Sequence, residues 1–60
     1  MLFIYQQFEK ELKSESDSQV RWMRNDQEDT LSKLPKGNHL RDKHMIFLEL
    51  AEKEMQARGL

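Results

Sequence analysis

Sixty residues carrying a net charge of −1, with 35% charged and 37% hydrophobic side chains, make at most one domain. A chain of this length buries only about 60% of the surface that its unfolded form exposes, so its core is marginal. With no cysteine, disulfides, thiolate metal sites and a thiolate nucleophile are excluded, and association with a second chain is the stabiliser that remains.

The first segment opens on an apolar run, Met1 to Tyr5, that gives way at once to glutamines and charges. It is too short for a signal sequence or a membrane span, which predicts a cytoplasmic protein with no membrane association. Met1, Tyr5, Phe8 and Leu12 recur at steps of four and three with Ile4 beside them, the pattern of one helix face, and a helix over about 2–14 follows. Phe3 falls on the opposite side, which leaves an extended start open.

Ser14 to Ser18 (SESDS) favours caps, and Ser16 with Gln19 has the spacing of a capping box, predicting a second helix over about 17–33. Neither glycine nor proline enforces the break, so one long bent helix is also compatible with this stretch. Val20, Met23, Leu31 and Leu34 form a narrow stripe with Gln27 in its middle. Trp22 stands about 160° from Val20 on a helix, yet on a strand over 19–23 the two would share a face.

Leu34 precedes the single proline, Pro35, and proline disfavours helical geometry in the residue before it. A turn over 34–38 is therefore expected, with Gly37 supplying permissive backbone and Asn38 an N-cap. The last helix, about 39–58, has Leu40, Phe47, Leu48, Ala51 and Met55 on one side, extended by Ile46, Leu50 and Ala57. Its apolar arc spans about 200° where one packed face needs about 100°. Such a helix requires two neighbours, and the expectation is one from its own chain and one from a second copy. Gly59 fits the position that ends it. The fold class expected is all-α: a helical hairpin or three-helix arrangement with a Pro-Gly turn before a long C-terminal helix.

Chemistry is sparse. His39 and His44 lie about 140° apart on a helix and cannot chelate one ion from a single face. His44 falls near the middle of the apolar side, where a partly buried, hydrogen-bonded imidazole is expected. No serine or threonine sits in a nucleophile-elbow context, and the turn has too few glycines for a phosphate loop. The chain also looks too small for a pocket of about 300 Å³. No catalytic residue, metal, cofactor or small-molecule substrate is expected. The one electrostatic feature is a basic island in which Lys33, Lys36, Arg41 and Lys43 outweigh Asp42, with His39 among them.

Two stretches resemble known families. QVRWM, residues 19–23, resembles the ribbon of dimeric ribbon-helix-helix repressors over about 40 residues of the chain, which implies DNA binding with Arg21 reading bases. FLELAEKEMQARGL, residues 47–60, is similar to the last helix of the small sporulation-checkpoint inhibitors of histidine kinases, which are helical hairpins. Neither resemblance spans the chain, and no family is assigned from them.

The reading that follows is a small non-enzymatic regulatory or adaptor protein acting by helix-mediated protein binding, as a homodimer. Its apolar contacts would come from Ile46, Phe47, Leu50, Met55 and Trp22, and its basic ones from Lys33, Lys36, His39, Arg41 and Lys43. The alternative is the dimeric DNA-binding regulator with 19–23 as its ribbon.

Overall fold

A computed structural model describes residues 2–60, the Leu2 side chain excepted. Met1, which its spacing places on the first helix face, lies outside the described residues. Three helices follow in order: α1, Leu2–Ser14; α2, Asp17–Lys33; and α3, Leu40–Arg58. Among the described residues there is no strand. Residues 19–23 are helical within α2, so the ribbon expected under the DNA-binding alternative does not form. Packing decides this point, because a helix buries Val20 completely and leaves Trp22 59% exposed on the other side.

The helix ends follow from local chemistry. The break between α1 and α2 is two residues long, and extended backbone at Ser16 (φ −69°, ψ 164°) starts the new helix. The Ser16 hydroxyl accepts from the Gln19 N–H at 3.2 Å, satisfying one donor orphaned by the helix start. Asp17 adds a negative charge where the α2 dipole is positive. At the far end Leu34 is extended (ψ 131°) before Pro35, and its N–H turns back to Leu31 O.

The connection to α3 is a tight turn in which Asn38 N–H donates to Pro35 O at 3.0 Å. Asn38 Oδ1 then accepts from Leu40 N–H at 2.8 Å, so the expected cap acts. His39 already has helical angles but lies just outside α3, which starts at Leu40, one residue later than the periodicity suggests. Gly37 departs from expectation: its φ is not positive, and a Cβ on it would meet nothing within 4 Å. The reversal therefore does not depend on glycine. Gly59 does adopt the left-handed conformation (φ 75°). Its N–H donates to Gln56 O and that of Leu60 to Met55 O, the paired bonds of a Schellman ending.

The helices run up, down and up. Asp17 meets Arg58, and Gln27 meets His44, so α2 is antiparallel to α3. Tyr5 meets Phe47, and the Leu12 carbonyl meets Arg58, so α1 runs parallel to α3. The helix α3 packs against both others and most extensively against α2. Leu12, Val20, Met23 and Ala51 form the buried cluster, with Phe8, Leu50 and Met55 packed on it. The whole is flattened, 33 × 23 × 14 Å. Two neighbours from its own chain thus cover part of the wide apolar arc of α3, and Leu40 and Ile46 of that arc remain exposed.

Candidate functional site

The turn end of the molecule carries the basic residues, and the structure divides them. Lys33 pairs with Asp29 at 2.9 Å. That hydrogen bond and charge hold the Lys33 pKa above its ordinary 10.5. Arg41 is turned inward, and its Nη1 donates to Leu31 O and Leu34 O, both at 2.8 Å. Leu31 O, in the last turn of α2, otherwise takes only the long bond from the Leu34 N–H (3.3 Å), and Leu34 O lies just past the helix end. Arg41 is therefore a cap on α2, and the free-cation role expected for it is corrected. Lys36 and His39 are exposed and Lys43 half-buried, and none of them forms an ion pair among the described residues. Arg21 is exposed on a helix and not on a ribbon.

The apolar candidates divide too. Phe47 is 7% exposed, because the rings of Tyr5 and Phe8 lie against it at centroid distances of 5.5 and 4.5 Å. It is a core residue of the α1–α3 contact, which corrects the expectation that it faces a partner. Leu50 and Met55 are half-buried against the same core. Ile46 and Trp22 remain 38% and 59% exposed. Met45, Phe3 and Ile4 are exposed as well. Phe3 could have been found from its position opposite the apolar face of α1.

Ile46 and Leu50 border an open groove of about 470 Å³ along α3, completed by Glu49, Glu52, Lys53 and Gln56. A second depression of about 300 Å³, lined by Arg24, Glu52, Met55, Gln56 and Leu60, adjoins it across Glu52 and Gln56. The chain therefore does have concave surface of the size thought beyond it, as open grooves. Glu52 is held by Arg24, whose guanidinium reaches it at 3.2 Å and also reaches Glu28 at 3.1 Å. Glu49 and Lys53 form no ion pair among the described residues. Trp22 borders neither groove.

Two polar arrangements span the helices. Nδ1 of His44 lies 2.7 Å from Oε1 of Gln27, a half-buried pair in which the imidazole donates. The His44 ring also stands edge-on to Phe47 at 5.8 Å. At the opposite end Arg58, its side chain 19% exposed, donates through Nε to Glu54 (2.8 Å) and through Nη1 to Asp17 (2.9 Å). Its Nη2 reaches Leu12 O at 2.8 Å and Lys13 O at 3.4 Å. The bonds to Glu54 and then Asp17 raise its pKa above the ordinary arginine value, so it is permanently charged. Nothing in the sequence announced this residue, since Leu12 lies 46 positions away.

No helix among the described residues is long and apolar enough to cross a membrane. None of their histidines and carboxylates cluster in a group of three or more that could hold a metal ion. Comparison with known proteins finds no family model, no curated protein and no solved structure that matches the chain.

Proposed function

We propose that this protein is a non-enzymatic regulatory or adaptor module of a reducing compartment such as the cytoplasm. It works as a homodimer and binds an amphipathic helix of a protein partner. The observation that carries the reading is the groove on the outer side of α3. There Ile46 and Leu50 present apolar surface between Glu49 and Lys53, which have no ion-pair partner among the described residues. A partner helix with apolar residues at three- and four-residue spacing, flanked by charges of both signs, complements such a surface. Trp22 is an exposed aromatic of the kind that anchors interfaces. The homodimer is supported by the small core, whose buried hydrophobic members are Leu12, Val20, Met23, Phe47 and Ala51.

A photoreactive side chain at position 46 tests this in the native cell, with the same group at Ser32, on exposed α2 surface outside both grooves, as control. The expected result is a discrete protein adduct from position 46 that survives nuclease and is absent from position 32. Equal labelling at both positions, or an adduct that nuclease removes, overturns the reading.

A further inference from the structure

We propose that the homodimer forms by exchange of α1: the break at Glu15–Ser16 straightens, and α1 of each copy packs on α3 of the other. The proposal takes from the preceding reading only that the partner is a second copy, and nothing from the groove on α3.

The sequence through the break is compatible with both states. Tyr5, Phe8, Leu12, Ser16, Val20, Met23, Gln27 and Leu31 follow one another at steps of three and four without interruption. One seam therefore keeps its helical spacing across the break, apolar except at Ser16 and Gln27, as an unbroken helix requires. No glycine or proline lies between Leu2 and Lys33, and no residue at the break has positive φ. Joined, α1 and α2 make a helix of about 48 Å at 1.5 Å per residue. Because α1 packs chiefly on α3 and little on α2, straightening removes few contacts that exchange does not restore in trans. Exchanging an identical element between protomers preserves the interface already built and needs no new complementarity.

Arg58 holds the bent state. In a continuous helix Leu12 O would accept from the Ser16 N–H and Lys13 O from the Asp17 N–H. In the structure both carbonyls accept from Nη2 of Arg58, Leu12 O sharing it with a longer bond from the Glu15 N–H (3.3 Å), while Nη1 of the same guanidinium donates to the Asp17 carboxylate. One side chain thus satisfies the acceptors on one side of the break and binds the first residue on the other. The Ser16 hydroxyl adds a cap that only the bent chain uses.

The cavity between α1 and α3 supplies the test. Glu9 and Lys13 from α1 line it together with Lys53 and Glu54 from α3, so a carbodiimide can join a carboxylate of one helix to an amine of the other. Chains labelled with ¹⁴N and ¹⁵N are unfolded together, refolded, cross-linked, separated by mass and digested. In the dimer fraction, α1–α3 cross-linked peptides of mixed isotope are expected, and in the monomer fraction only peptides of one isotope. Arg58→Met with Ser16→Ala should raise the dimer fraction at least tenfold at equal concentration, with helicity by circular dichroism retained. Asp17→Pro should abolish the mixed peptides. A proline there suits the first position of α2 and the extended Ser16 before it, and it is incompatible with a continuous helix.

A dimer whose α1–α3 peptides all carry one isotope overturns the exchange and leaves a homodimer through another surface standing. Absence of any dimer, in the native chain at millimolar concentration and in the double variant alike, overturns both. Mixed peptides that persist in Asp17→Pro refute the straightening step.

Discussion

The two glycines show how far a residue's chemistry can be separated from its type. Gly59 occupies the left-handed region that L side chains rarely adopt, while Gly37 has ordinary backbone and open space where a Cβ would stand. Gly59→Ala is expected to destabilise the protein by about 1 kcal/mol or more, a fall of roughly 4–8 °C in Tm for a chain this small. Gly37→Ala should instead raise stability by about 0.4–1 kcal/mol, by restricting the unfolded chain. Thermal melts of the two variants check both signs. The Lys33–Asp29 pair makes a third prediction at this scale. The raised Lys33 pKa means that its contribution is fully present below the ordinary 10.5 and is lost as pH rises through the higher folded value. Asp29→Asn should return the Lys33 titration toward 10.5 in an NMR experiment, with little change in stability because both side chains are well exposed. Ser16, Asn38 and Gly59 were legible in the sequence because a cap acts on backbone within a few residues of itself. The role of Gly37 was misread because a Pro-Gly pair suggests a glycine-dependent turn, whereas this one closes with negative φ throughout.

At the scale of the helices, periodicity indicated three elements but left a strand over 19–23 and a continuous first helix open, and it placed the exposed Leu40, Ile46 and Ala57 on the buried side of α3. The 200° arc of α3 correctly implied two neighbours. It could not tell who they were, because an apolar side chain carries no record of whether its cover comes from its own chain. Phe47 is the clearest case: its aromatic cover is Tyr5 and Phe8, some 40 residues earlier in the sequence. Arg41 was expected among the surface basic contacts and Arg58 went unremarked for the same reason, since their acceptors include main-chain carbonyls that no pattern of side chains reveals. Arg41→Met should fray the last turn of α2, lowering stability by about 1–3 kcal/mol as Leu31 O and Leu34 O lose a charged donor. Urea unfolding reads the loss, and faster amide exchange at Leu34, whose N–H closes that turn, localises it.

For the whole molecule, the division between what stabilises and what is free to bind is sharp. Trp22 and Ile46 lie outside the core, so Trp22→Gln and Ile46→Gln should each change stability by less than about 0.5 kcal/mol. Under the proposed helix-binding role, Ile46→Gln should nevertheless weaken capture of a partner helix, measured as loss of the adduct formed by a photoreactive side chain placed at neighbouring Lys53. Leu12→Ala has the opposite signature, a cost of about 2–5 kcal/mol from a residue 1% exposed at the junction of all three helices.

The Gln27–His44 pair sits on a seam otherwise made of Val20, Met23, Ala51 and Met55, small or pliable side chains that tolerate sliding. A slip of α2 along α3 by one turn, about 5.4 Å, would cost that apolar seam little, but it would strand an amide and an imidazole in half-buried surroundings without partners. The pair therefore fixes the middle of the hairpin, beside the Asp17–Arg58, Arg24–Glu52 and Leu31–Arg41 contacts that a slip would also break. Gln27→Leu with His44→Leu should then yield a protein of similar stability that is loosened at the middle of the hairpin, seen as resonances broadened near positions 27 and 44 and sharp near Asp17 and Arg58, where the ion pair is kept.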